Sequence, residues 1–474
     1  MKKESVKSLV LALLVISGGI LTINNWFSEK LWPDGYNFFS NLIGYFSDGD
    51  EVKSYYLSKE NVSNPAKIIV NNTDKRGVYT HTSDDFNDMV GTVKELLKDG
   101  LSQKKNVSQS SIEAWKDALK YKSIYISYPV TYGVKTFSAI LDTPINALSG
   151  GNVQEFVLVS PDNITGKPHL IVKNASDNTY TDIVLSLDGK NISELTEKYA
   201  VSSSGEYPYS FELNFDSAKN IKEQKLTIDS EVTLPINPIS VPTVTETNCF
   251  EDIGENPELY KELLRPFGFN TSNVRKNVNL DNSIVFAENY GTIKMYPDGL
   301  LEFKALNDSL GISIGNSTEF YDTFIDCIEF VNNTWDVAFT DENMNINLSS
   351  AKVGETDNSF VLTIDYYAEG MEVVSSIDAT DSHLKLSHAI EIEVKNSKII
   401  SYRQSVKSYR STGGWVSSAG VIDALNLLMA TESIESDNIL DLYTAYYPSE
   451  GSICTPHWVA RTDKNEMRII KPPR

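Results

Sequence analysis

Twenty consecutive residues without a charge, Ser8 to Phe27, place the first constraint on this chain. At a rise of about 1.5 Å per residue, a helix of that length reaches about 30 Å, the thickness of a bilayer's hydrocarbon core. Lys2, Lys3 and Lys7 precede the run, and Trp26, Phe27 and Trp32 lie where an interfacial aromatic belt forms. The positive-inside rule then makes residues 1–7 a cytoplasmic tail, residues 8–27 a transmembrane helix, and the remainder extracytoplasmic. The alternative is a cleaved signal peptide. Against it, the run ends in Thr22-Ile23-Asn24-Asn25-Trp26 instead of a small-x-small cleavage site, and no cysteine is placed for lipid attachment. Gly18 and Thr22 form a small-xxx-small pair that lets another helix approach closely. With Asn24 they are the candidate partner-helix contacts. Asn24 also reads as a plain interfacial residue.

Composition narrows the function classes. The chain has 474 residues, 42 Lys+Arg and 64 Asp+Glu, a formal net charge of −22. Residues 1–27 hold three Lys and one Glu, so the part beyond the membrane stands near −24. Such a surface argues against binding nucleic acid or anionic lipid. Hydrophobic residues at 41% support real cores, and the length suits about two to four domains of about 100–200 residues. Three cysteines make neither a disulfide framework nor a four-thiolate zinc site.

The exterior chain reads as three mixed α+β domains with antiparallel sheets. Residues 28–54 form a juxtamembrane connector, broken from the anchor by Pro33 and Gly35. Residues 55–233 form domain 1. It holds a strand at Lys67–Val70 and a helix with an apolar face of Phe86, Met89, Val90, Val93, Leu96 and Leu97. That helix is expected to be capped by Ser83 and ended by Gly100. Ser110-x-x-Glu113 reads as a capping box for a second helix. Pro235, Pro238 and Pro242 mark 234–247 as a stiff extended linker. Residues 248–357 form domain 2, with a Pro297-Asp298-Gly299 hairpin turn and a helix bearing Phe320, Phe324, Cys327, Ile328 and Val331. Residues 358–474 form domain 3, with a hairpin at Asn396-Ser397.

No chemistry-bearing motif stands up. Ser102-x-x-Lys105 and Ser382-x-x-Lys385 match the nucleophile pattern of penicillin-binding enzymes, but the Lys-Thr-Gly element is absent. An anchored envelope hydrolase of this type is the alternative function, and an anchored assembly or chaperone-like module a third. Cys454-x-x-His457 lacks a second ligand pair for zinc. His383 and His388 fall on opposite faces if extended, so both read as surface or strand-end residues. Asp341, Asn343 and Asn345 begin like a calcium loop, which Ile346 and Lys352 then spoil. Asp84-Asp85 suits a helix N-terminus, and Cys327 a core position. A Cys249–Cys454 bridge is chemically allowed outside the cell, with nothing in the sequence placing the two together. No catalytic, cofactor or metal residue is assigned.

Several segments, in order, resemble one family. The start, Lys7-Ser8-Leu9-Val10 through Asn24-Asn25-Trp26-Phe27, and then Trp32-Pro33-Asp34-Gly35-Tyr36-Asn37-Phe38-Phe39, resemble the N-terminus of YycH proteins. Phe286-Ala287-Glu288-Asn289-Tyr290-Gly291-Thr292 and Pro297-Asp298-Gly299-Leu300-Leu301-Glu302-Phe303 are similar to the family's second domain. Ile364-Asp365-Tyr366-Tyr367-x-x-Gly370 and His388-Ala389-Ile390-Glu391-Ile392-Glu393-Val394 are similar to the start of its third. Tyr446-Tyr447 and Pro456-x-Trp458-Val459 resemble the ending of both YycH and its relative YycI. The resemblance implies a single-pass membrane protein without enzymatic activity. It would modulate the sensor histidine kinase of the Yyc (Wal) two-component system, which governs cell-wall turnover, together with a YycI-like membrane protein. Gly18-Gly19 and the Asn24-Asn25 pair depart from the family's usual anchor.

Overall fold

A computed structural model describes residues 63–80, 83, 85–161, 166–175, 177–186, 189–203, 206–213, 227–250, 257–315, 320–338, 344–353, 359–374, 386–431, 438–448, 452–463 and 467–470. The expected membrane helix at 8–27, with Gly18, Thr22 and Asn24, and the connector at 28–54 lie outside these residues. Among the described residues no helix is long and apolar enough to cross a membrane.

The first sheet is built from β1 (Lys67–Asn72), β2 (Lys75–Thr80), β3 (Val107–Ser110), β4 (Ser123–Gly133), β5 (Asn152–Val159), β6 (His169–Asn174), β7 (Tyr180–Val184) and β8 (Ser202–Ser203). Their order across the sheet is β3-β7-β6-β5-β4-β1-β2-β8, and every pair is antiparallel. Helices α1 (Phe86–Ser102), α2 (Ile112–Lys120), α3 (Val134–Leu141) and α4 (Lys190–Tyr199) complete this part. The run Ile68-Ile69-Val70 is continuous in apolar character because both faces of the sheet are covered. Ile68 and Val70 share a core with the α1 face, whereas Ile69 packs on the opposite side with Trp115 and Leu119 of α2.

α1 buries Phe86, Met89, Val90, Val93, Leu96, Leu97 and Leu101. Each such side chain contributes about 2 kcal/mol of burial. Its ends differ from expectation. Asp85 occupies the N-cap, while the Ser83 hydroxyl accepts the Thr80 N–H at 3.1 Å and closes the preceding turn. Gly100 lies inside the helix rather than ending it. A Cβ there would stand 2.7 Å from Leu170 and Leu185 methyls, so the glycine serves close approach to the sheet. The second cap also moves by one residue: Ser110 ends β3, and Ser111 Oγ accepts the Ala114 N–H.

The second sheet has sixteen strands among the described residues. They are β9 (Thr227–Ile228), β10 (Ser240–Asn248), β11 (Arg275–Val278), β12 (Ile284–Ala287), β13 (Gly291–Met295), β14 (Leu300–Ala305), β15 (Ile312–Ser313), β16 (Met344–Val353), β17 (Ser359–Ala368), β18 (Met371–Val373), β19 (Ile390–Lys395), β20 (Lys398–Ser405), β21 (Lys407–Ser417), β22 (Asn438–Pro448), β23 (Ile453–Thr462) and β24 (Met467–Ile470). The main order is β11-β12-β13-β14-β20-β19-β17-β18-β22-β23-β10-β21. β18 and β9 join β22 in parallel, and the remaining pairs are antiparallel. Helix α5 (Phe320–Ala338) buries Phe324, Cys327, Ile328, Val331 and Trp335, and Trp335 meets Tyr366 edge-on at 5.1 Å. Helix α6 (Val421–Thr431) covers Leu442, Trp458 and Ala460, together with Val232 and Leu234 from outside the sheet. Mixed α+β architecture with antiparallel sheets is therefore the fold class.

The linker expectation is corrected here. Pro242 does lie in extended backbone, but as part of strand β10, hydrogen-bonded between β21 and β23. A bulge at Pro242/Val244 absorbs the proline's missing donor. The boundary drawn at 357/358 falls between β16 and β17, which are antiparallel partners from Met344↔Ala368 to Val353↔Phe360. Strands from 248–357 and from 358–474 thus lie in one sheet. The hairpins at Pro297-Asp298-Gly299 and Asn396-Ser397 form as expected, with Gly299 at φ 97° and both Asn396 and Ser397 at positive φ.

Candidate functional site: two buried charge networks

The sequence candidates do not assemble. Ser102 sits in the last turn of α1, where its hydroxyl donates to the Asp99 carbonyl at 3.0 Å; Lys105 is exposed. Ser382, Lys385 and His383 lie outside the described residues, as do Asp84, Asp341 and Asn343. Cys454 is buried in β23, and His457 turns its Nδ1 to the Thr455 carbonyl at 3.0 Å. All three cysteines are free thiols. Burial pushes the Cys454 thiol up to about 12, and Cys327 higher still. Among the described residues no group of three or more His, Cys, Asp or Glu is placed to hold a metal.

What the structure does bring together are two buried networks of charge. The first centres on Asp365, in the middle of the apolar strand β17 and 3% exposed. Its Oδ1 faces His388 Nδ1 at 2.9 Å, and its Oδ2 accepts from Arg461 Nη2 at 3.1 Å. The same Nη2 donates to both carboxylate oxygens of Glu372 on β18 at 3.0 Å. Tyr443 on β22 donates to Glu372 at 2.6 Å and accepts from Arg461 Nε at 2.9 Å. Burial alone would raise Asp365, but His388 and Arg461 overcome it and hold the carboxyl down at about 2. Glu372 is raised, chiefly by burial. Burial disfavours a charged His388, yet the Asp365 carboxylate outweighs it and the imidazole pKa is raised. His388 is the expected strand-end residue, just ahead of β19, but the surface half of that reading is corrected: its side chain is 15% exposed and turned inward onto Asp365.

The second network ties the two sheets through the stretch Thr227–Leu234. Lys173 on β6 is held by Glu155 on β5 at 2.6 Å and by Glu231 at 3.1 Å. Glu231 also accepts the Trp115 indole N–H at 2.8 Å, and Glu155 the Tyr125 hydroxyl at 2.5 Å. Nearby, Arg76 is 1% exposed, forks onto both Glu212 oxygens at 2.9 and 3.2 Å, and donates to the Tyr207 carbonyl at 2.6 Å. Its guanidinium lies 4.0 Å from the Tyr209 ring centroid. β9 meanwhile pairs with β22, and Asp229 N–H donates to the Ile439 carbonyl at 2.9 Å.

Sequence reasoning missed both networks. One signal was available: an aspartate inside Phe360-Val361-Leu362-Thr363-Ile364-Asp365-Tyr366 demands partners if the strand is buried. The partners themselves come from strands far apart in the chain.

These features define a two-sheet α+β protein with networks of buried charge in its interior. Its fold is YycH-like. The crystal structure of YycH from Bacillus subtilis matches with a TM-score of 0.53 and 12% identity, over 88% of this chain and 98% of that one. An uncharacterized protein from Eubacterium rectale aligns over 50% of this chain and 81% of its own, at 14% identity and a TM-score of 0.31. No protein-family model and no curated protein matches the chain.

Proposed function

We propose that this chain is a membrane-anchored, extracytoplasmic regulator of a sensor histidine kinase of the Yyc (Wal) two-component type. The observation that carries the reading is the likeness in fold to YycH along nearly the whole of that protein. The uncharged run at 8–27, with lysines before it, supports a retained single-pass anchor with the N-terminus inside. With such an anchor, the message passes laterally, helix to helix, or through an exterior contact. Regulation is then differential binding: the chain favours one conformation of the kinase and shifts its kinase/phosphatase balance. Gly18, Thr22 and Asn24 are the helix positions assigned to that contact, and a YycI-like membrane protein is the second partner.

The test is a pull-down from native membranes with two baits, the intact chain and one with Leu9–Phe27 replaced by an unrelated apolar helix. One histidine kinase should follow the intact chain and drop with the swapped anchor. If no kinase enriches with either bait, the reading fails.

A further inference from the structure

His388 is the member of the Asp365 network whose ordinary pKa lies in the neutral range. Asp365 on β17, Glu391 on β19 and Arg461 on β23 act on it directly, and Tyr367 on β17, Glu372 on β18 and Tyr443 on β22 surround Asp365 and Arg461. Arg403 on β20 is taken by Glu391 at 3.1 Å. Burial holds Tyr367 and Tyr443 neutral. Two buried carboxylates, Asp365 and Glu372, therefore face one permanent cation, Arg461. With both carboxylates ionised, the set is neutral when His388 carries a proton.

His388 belongs to residues 386–389, which lead into β19. Leu386 packs on Tyr296 and Leu300, and the Ala389 carbonyl accepts the Ser405 N–H at 2.8 Å. The imidazole is the side chain that binds this stretch to β17. We propose that His388 is a proton-operated fastener: protonated, it holds residues 386–389 against β17, and its deprotonation at alkaline external pH loosens them. A neutral imidazole still donates one N–H to Asp365. What disappears is the neutralising charge, and an uncompensated buried carboxylate favours admission of water and opening of the stretch. The inference stands apart from the kinase reading, because its test needs the chain alone.

The experiment is hydrogen exchange by mass spectrometry on the full chain, native and His388→Gln, from about pH 6 to about pH 9, with protection corrected for the intrinsic rate at each pH. In the native chain, protection over residues 386–392 should fall by up to about tenfold per pH unit between the free-histidine value of about 6.5 and the His388 midpoint and level off above it, while β5 keeps its protection. In His388→Gln the local profile should be flat. A flat native profile, or a variant that falls in parallel with it, overturns the proposal. The His388 Cε1 resonance in the native chain gives a second reading that needs no variant. Its titration midpoint should lie above the usual histidine value of about 6.5 and mark the pH at which the loss of protection levels off; a midpoint at or below that value overturns the proposal.

Discussion

The indole N–H of Trp115 on α2 points at the carboxylate of Glu231, 2.8 Å away, from one side of a division that the backbone of Glu231's own stretch crosses. Two residues earlier, Asp229 is hydrogen-bonded to Ile439 of the larger sheet. Glu231 is thus pinned to the smaller sheet by side chains alone and to the larger one by the main chain beside it.

Lys173→Met should test that pin. The substitution leaves Glu155 and Glu231 buried side by side without their cation. Removing one partner of a buried pair costs about 3–5 kcal/mol. Urea denaturation should show the midpoint falling accordingly, and Lys173→Met/Glu155→Gln should recover part of the loss. A change under about 1 kcal/mol would mean the pair is solvent-screened.

Arg76→Lys should behave as a severe change despite keeping the charge. Lysine has no planar fork to meet both Glu212 oxygens and the Tyr207 carbonyl, nor a flat face for Tyr209. We expect about 2 kcal/mol of destabilisation by chemical denaturation, and new protease cleavage in 206–213. Cleavage unchanged from the native pattern would assign the docking of that stretch to Tyr209 packing instead.

Acid should weaken the fold through Asp365. Its folded pKa, about 2, lies below the unfolded value, so its contribution is present above about pH 4 and lost as pH falls toward about 2. The magnitude is on the order of 2 kcal/mol. Comparing stability at about pH 7 and about pH 3, Asp365→Asn should flatten this limb of the profile relative to the native chain. Equal slopes in the two proteins would remove Asp365 from the account.

Gly299→Ala should cost about 1–2 kcal/mol. The turn needs φ 97°, and the new Cβ would sit 3.0 Å from Asn248 Oδ1 and 3.1 Å from Lys407 Cγ. Thermal unfolding reads it directly, and a neutral result would show that the turn relaxes to another type.

Ser102 should not be acylated by a fluorescent β-lactam. Its hydroxyl is bonded back into α1 and no Lys-Thr-Gly element exists to complete such a site. Labelling that disappears in Ser102→Ala would reinstate the hydrolase alternative.

What was legible in the sequence was whatever depends on neighbours along the chain. The α1 face followed from period 3.6, and the Pro297-Asp298-Gly299 and Asn396-Ser397 turns from residues that accept their backbone angles. Caps slipped by one or two residues, because Ser110 and Ser111 or Ser83 and Asp85 offer the same chemistry, and strand packing chooses between them. The proline at 242 correctly announced extension, but extension is shared by linkers and strands, and the partner that decides is some 170 residues away. The same distance hid the charge networks. Asp365, Glu372, His388 and Arg461 meet only through the register of four strands, which no local pattern specifies. The likeness of segments to YycH, by contrast, did reach the fold.

The position of β10 carries a consequence for the order in which the chain becomes a protein. β10 is synthesised near the midpoint, but β21 begins at Lys407 and β23 at Ile453. Until residues 407–417 have emerged, β10 has neither neighbour and presents two open edges, and the edge that β23 takes stays open longer still. Long-range pairing of this kind is slow and leaves strands exposed to mispairing. A chain interrupted before residue 407 therefore loses more than its tail: it strands an element laid down about 160 residues earlier.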